Sequence, residues 1–388
     1  MNTNKLIILV VVALAAIGLG IWVSSERSSQ QETSSAALFP DLKKTINDAT
    51  AVRVFTAGDK QTVEIVRKDS SWIVSERHGF PADDAKVRKL LLSLANAKLR
   101  EEKTSNPENY ASLNVEDVST EDASGIRVEV AGMQPPVNLI VGKPGTSLDT
   151  QYVRKAGEKQ SWLVDADFDT TSVPQDWLRK TLFEIPADRI QSATIQAKGA
   201  KPYTAAKDAK ADADFSIVGL PKGKKLTSPS AANILANALT GVALSDVQPA
   251  AEFEGSPDVT ATYQTFDGLV LEIKGWSKDD KRYLAGQARF DATLADRFKA
   301  ASEPAESTEA KDKKTAEAAT AQTDKADEPG TDKADGAAKR TAAAPAAAVP
   351  NVAEQAKSLN ERLSGWVFEI PEYKYNTIFK PLDDLLAD

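Results

Sequence analysis

Near its start the chain carries an unbroken apolar run, Leu6 to Val23 (LIILVVVALAAIGLGIWV), and then turns polar through a Ser/Gln/Glu stretch. As a helix the run rises about 27 Å, close to the hydrocarbon thickness of a bilayer, so the pattern predicts one membrane span. Lys5 precedes it and Trp22 sits at interfacial depth, which predicts a cytoplasmic N-terminus and an exported body. No small-x-small cleavage site follows within a few residues, so an uncleaved anchor (1–24) and a polar stalk (25–37) are expected rather than a removed leader.

Beyond the stalk the pattern alternates with period two at Val52 to Phe55, Thr62 to Arg67 and Trp72 to Ser75, as in a meander of half-buried strands. The period then changes. In FPADDAKVRKLLLSLANAKLR, Val87, Leu90, Leu91, Leu94 and Leu99 fall on one helical face behind Pro81, Asp83 and Asp84, which predicts an amphipathic helix over Ala82 to Arg100. Alternation returns at Ile126 to Val130, Val137 to Val141, Gln151 to Arg154 and Trp162 to Val164, with Gly132, Gly142, Gly145 and Gly157 marking turns.

The same order of patterns then recurs. An apolar-Pro element stands at Leu38-Phe39-Pro40, at FEIP from Phe183 to Pro186, and at FEIP from Phe368 to Pro371. The two intervals become similar once residues 302–350 are set aside. Trp72-Ile73-Val74 matches Phe215 to Val218, and Val137 to Gly142 matches Leu269 to Gly275. The helix matches SPSAANILANALTGV, where Ser228 can N-cap and Pro229 occupy the first helical position. The expectation is an α+β protein: an N-terminal transmembrane helix, then two tandem modules of antiparallel sheet, 38–182 and 183–388, with one main helix each. The stretch 302–350 has no aromatic residue and little apolar bulk beyond Ala, so it is expected to be a disordered insert within the second module.

Composition narrows the chemistry. With no Cys, disulfides, thiolate metal sites, cysteine nucleophiles and a lipobox anchor are excluded. A formal net charge of -8 argues against a nucleic-acid partner. His78, the only imidazole, lies in the turn Arg77-His78-Gly79 and reads as a surface histidine. Asp165, Asp167 and Asp169 have a spacing that can turn alternate carboxylates onto a cation, with Asp176 at the twelfth position. Thr170 replaces the required Gly and Phe168 adds bulk, so a solvated turn is expected there. GKPGTS, Gly142 to Ser147, lacks phosphate-loop spacing and reads as a strand turn, and no GxSxG elbow is present. Lys222, Lys224 and Lys225 form a short basic loop suited to phosphate or acidic lipid. The tryptophans Trp72, Trp162, Trp177, Trp276 and Trp366 read as packing residues. No cofactor and no metal are expected.

The single span, the apolar-Pro element before a three-strand and helix unit, and VGKPGTSLDTQYVR followed by Trp162-Leu163-Val164 carry a resemblance. The chain resembles a bacterial family of domain-of-unknown-function proteins with a repeated extracytoplasmic module behind one membrane helix. Members are commonly encoded beside an ABC-2 type permease and a gliding-motility-type auxiliary transport protein. The resemblance implies a non-enzymatic accessory or scaffolding protein of an ABC-type export assembly, held in the inner membrane by Leu6 to Val23 with its body in the periplasm. Tyr152 and Arg154, with Lys222, Lys224 and Lys225, are the expected partner-binding surface. A cell-envelope glycan or lipid binder is the alternative. The strand corresponding to Tyr152-Val153-Arg154 reads Lys281-Arg282-Tyr283-Leu284, so the two modules are not expected to be equivalent.

Overall fold

The computed structural model describes residues 36–220, 222–302 and 351–387. The expected anchor at Leu6 to Val23 and, apart from Ser302, the expected insert lie outside the described residues. No helix among the described residues is long and apolar enough to cross a membrane.

Period-two patterning produces two antiparallel sheets. The first contains β1 (Ala51–Thr56), β2 (Lys60–Lys68), β3 (Ser71–Val74), β4 (Phe80–Pro81), β5 (Leu99–Glu102), β6 (Ile126–Ala131), β7 (Val137–Pro144), β8 (Gln151–Lys155) and β9 (Ser161–Val164). Their spatial order is β4-β3-β2-β1-β6-β7-β8-β9-β5. A small ribbon pairs β10 (Thr181–Phe183) with β14 (Val242–Ala243). The second large sheet contains β11 (Ile190–Ala197), β12 (Tyr203–Ala206), β13 (Ser216–Val218), β15 (Asp246–Pro249), β16 (Val259–Thr265), β17 (Leu269–Lys278), β18 (Lys281–Phe290) and β19 (Trp366–Ile370). It runs β13-β12-β11-β16-β17-β18-β19-β15. Taken strand by strand, this is the order of the first sheet without β4. Burial follows the pleat: Val63 and Ile65 of β2, and Val259, Ala261, Tyr263 and Thr265 of β16, are buried with more open residues between them.

After the short helix α1 (Leu42–Thr45), the helical pattern yields α2 (Asp84–Asn96). The Asp83 carboxylate caps it, accepting from the backbone N–H groups of Ala85 at 2.9 Å and Lys86 at 3.2 Å. Val87, Leu90, Leu91 and Leu94 are buried as expected. Leu99 is not helical: the chain turns extended at Ala97, and Leu99 enters β5 opposite Val164.

The matching helix of the second sheet is a correction. SPSAANILANALTGV forms a 3-10 segment, Ala231–Leu235, followed by turns, not an α-helix. Its backbone bonds run three residues back, as in Asn233 N to Ser230 O and Ala236 N to Asn233 O. Neither Ser228 nor Ser230 caps it with a side chain to backbone N–H. The cause is Asn233, whose amide oxygen accepts from Phe215 N at 2.9 Å and whose Nδ2 donates to Asp214 at 2.7 Å, tying the segment to the start of β13. Helical cover comes instead from elements after β18: α3 (Ala292–Ser302), α4 (Val352–Leu363) and α5 (Glu372–Ile378). The side chain of Asn360 on α4 accepts from Ala288 N of β18 at 2.7 Å and donates to Ala288 O. The Tyr263 hydroxyl donates to Ile378 O at 2.7 Å, fastening α5 to the sheet.

One apolar core runs through both sheets, including Val54 and Val128 of the first and Ala261 and Leu284 of the second, with Phe80, Trp177, Phe183 and Phe368 between. The ring of Phe80 on edge strand β4 meets Trp366 edge-on at 5.1 Å and Phe368 at 5.9 Å. The second sheet is closed by β19, which lies between β18 and β15.

Candidate functional site

Tyr152 and Arg154 lie two residues apart on β8 and so on one face, which is covered by the long connection 103–125 between β5 and β6. Gly142 on β7 makes this cover possible, because a Cβ there would stand 2.3 Å from Leu113 O. Tyr110 and Val115 of the connection are buried against Ile140 of β7, with Tyr152 packed alongside.

The expectation that Arg154 offers itself to a partner is corrected. Arg154 is 2% exposed. Its Nε donates to Val115 O at 2.8 Å, Nη1 to Glu158 O at 2.8 Å and Nη2 to Asp117 Oδ1 at 2.7 Å, while the guanidinium lies 4.5 Å from the Tyr110 ring centroid. A buried guanidinium needs such acceptors to offset its lost hydration. Arg154 therefore positions the connection. Tyr152 is half-buried, with the ammonium groups of Lys103 and Lys143 at 5.6 and 6.0 Å from its ring.

The same cover leaves a cavity of about 400 Å³ against the β8–β9 turn. Arg154 and Tyr110 line its buried side, and Glu116, Asp117, Asp122 and Glu158 stand around it. The Tyr110 hydroxyl donates to Lys159 O at 2.5 Å and fixes the far wall. A second cavity, about 510 Å³, lies by the other sheet and is more apolar, with Phe266, Ala295 and Phe298 beside the Arg189–Asp267 ion pair.

Lys222, Lys224 and Lys225 are exposed in the turn after β13. The C-terminal residues hold the end of this turn, with Ala387 N donating to Lys225 O at 2.8 Å and Leu386 bridged to Leu226. Tyr152 and Arg154 stand on β8 of the first sheet and the lysines in the turn after β13 of the second, so the expected surface residues belong to different sheets.

The joint between the sheets was not legible as a site. Arg77 grips Asp246 with Nε at 2.6 Å and Nη2 at 3.2 Å, and Gln175 donates to the same carboxylate at 2.9 Å. His78 Nδ1 stands 3.7 Å from Glu252 Oε1, both side chains well exposed. The only sequence signal was the RHGF turn, because its acidic partners lie far along the chain.

The aspartates of DADFDTT are engaged locally. Asp169 faces Lys89 at 3.3 Å, Asp167 accepts from Asp169 N, Asp176 pairs with Lys180 at 3.2 Å, and Phe168 is buried beneath. No group of three His, Asp or Glu side chains among the described residues could hold a metal ion. Gly142 to Pro144 belong to β7, and Gly145 N closes a turn onto Thr150 O. Burial pushes the Tyr263 hydroxyl well above its ordinary range, and the hydrogen bond that Lys281 Nζ donates to the Glu369 carboxylate at 2.8 Å raises the lysine above its own.

Fold and joint define a sheet-rich α+β protein, two antiparallel sheets of matching strand order on one core. The family described as domain of unknown function (DUF4340) matches residues 72–265, half of the chain, and the chain belongs to it. The matched stretch begins in β3 and ends with β16, taking in part of each sheet. Neither a curated protein nor a solved structure matches the chain.

Proposed function

We propose that this protein is a membrane-anchored, extracytoplasmic accessory or scaffolding subunit of an ABC-type export assembly, built from a repeated module and acting without catalysis. The observation that carries the reading is the joint. Two sheets share one core and are clamped by Arg77 and Asp246, which suits a rigid platform that holds partners at fixed spacing rather than two independently moving domains. Sheet edges and the basic turn at Lys222, Lys224 and Lys225 offer contact surfaces on such a platform. The apolar run Leu6 to Val23 supplies the tether, and the resemblance to proteins encoded beside ABC-2 type permeases supplies the partner class.

The test is in-cell crosslinking of the full chain, with a version lacking residues 6–23 as control, followed by mass spectrometry. Recovery of a permease and its companion from the full chain alone is the expected result. Recovery of no transporter subunit overturns the reading.

A further inference from the structure

We infer that the apolar cavity beside the second sheet binds a medium-chain alkyl carboxylate, the chemistry of a fatty acid. The cavity has a volume of about 510 Å³, within the range of small-molecule sites. Its walls are built from two sides. On one, the Asp212 carboxylate accepts from Ala209 N at 2.8 Å while Asp212 N donates back to Ala209 O, closing the loop between β12 and β13 on itself. On the other, α3 comes close to the sheet because Gly268 has no Cβ; one built there would stand 2.9 Å from the Ala295 Cβ. Phe298 of α3 meets Phe266 edge-on at 5.0 Å, and the two rings complete an apolar slot with Ala209, Ala211 and Ala295.

Arg189 supplies the polar end. It lines the cavity with its side chain 20% exposed, so unlike Arg154 it is open to a ligand. Its Nε and Nη2 are engaged by Asp267 and Gln355, whereas Nη1 has no partner among the described residues and keeps two N–H groups for an acceptor. Charge then selects the head. Arg189, Lys210 and Lys299 line the cavity against Asp208 and Asp267, and Asp267 is committed to Arg189 at 2.8 Å, which favours a carboxylate over an ammonium. The ligand therefore lays its chain between the two phenylalanine rings, where apolar surface leaves water, and turns its carboxylate to Arg189. This site is independent of the export-assembly reading, since partner capture and small-molecule binding are measured separately.

Octanoate, butanoate and octylammonium are the probes, titrated by calorimetry against the full-length protein in lipid nanodiscs with the signal of empty nanodiscs subtracted. Octanoate is expected to bind about tenfold more tightly than octylammonium, the factor for one charge-assisted hydrogen bond. Affinity should rise about two- to fourfold with each methylene added between butanoate and octanoate. Ala211→Trp, at an exposed loop position, takes up the slot and is expected to abolish octanoate binding with an unchanged melting temperature. Arg189→Gln should erase the preference for carboxylate over ammonium and keep the dependence on chain length. An octanoate analogue carrying a photoreactive diazirine should label peptides that contain residues 208–211 or 295–299. Equal binding of octanoate and octylammonium, no gain with chain length, undiminished binding in Ala211→Trp, or labelling confined to other peptides overturns the proposal.

Discussion

The two sheets share a strand order but are finished differently. In the first, a capped α-helix lies between β4 and β5, β4 covers the edge of β3, and the long connection 103–125 roofs β8 around Arg154. In the second, the corresponding helix is wound as 3-10, β13 is left as the edge, and cover is supplied by α4 and α5 from the far end of the chain. One strand topology thus tolerates very different covers, provided the pleat keeps apolar residues inward. The first sheet gains a polar cavity from its roof, and the second gains C-terminal elements that tie it to Tyr203 and Tyr263.

The strongest challenge to this comparison is to separate the sheets. Phe80→Ala removes the ring against Trp366 and Phe368 and should cost about 3–5 kcal/mol, as large aromatic truncations in cores do. Because the core is continuous, calorimetry should show one transition moving down as a whole, and two separate transitions would show that the sheets fold independently. Arg154→Met leaves Val115 O and Asp117 without their donor and should cost about 2–4 kcal/mol. Hydrogen exchange should then rise over 103–122 while the second sheet stays protected; a uniform loss would deny Arg154 its local role.

Smaller effects sharpen the contrast. A double-mutant cycle on Arg77 and Asp246 should give a coupling of about 1 kcal/mol, since the pair is partly open to water. Asp83→Ala should cost about 1 kcal/mol by uncapping α2, while Ser230→Ala, at a 3-10 start without a side-chain cap, should stay within about 0.5 kcal/mol. Equal losses at the two positions in denaturant melts would erase the distinction between the covers. The smallest effect concerns pH. The hydrogen bond from Arg53 at 2.8 Å holds Glu64 below its ordinary value of 4.5, so its contribution is full above that value and is lost as pH falls through the lowered one. Glu64→Gln should flatten the stability profile slightly in that acid window, and an unchanged acid limb would remove Glu64 from the account.

Strands, the first helix and the matched order of elements were legible because period-two and period-3.6 patterns report directly on which side chains face a core. The conversion of SPSAANILANALTGV to 3-10 was not, since it depends on Asn233 bonding to Phe215 and Asp214, residues outside the local window. Arg154 illustrates the same limit at the site. An arginine two positions from a tyrosine on a strand reads as surface, and only the return of the 103–125 connection, admitted by Gly142, buries it. The Arg77–Asp246 clamp joins residues too distant in sequence for any spacing rule.

The position of β19 sets an order of events during synthesis. β15 has only β19 as its neighbour in the sheet, so Asp246 to Pro249 must wait until Trp366 to Ile370 have been made and delivered. The first sheet has all its strands once Val164 has been made, whereas the nascent second sheet exposes the open side of β18 until the final stretch arrives. A stop codon before residue 366 would therefore leave a chain with a finished front half and a self-adhesive rear edge, a ready substrate for quality-control proteases.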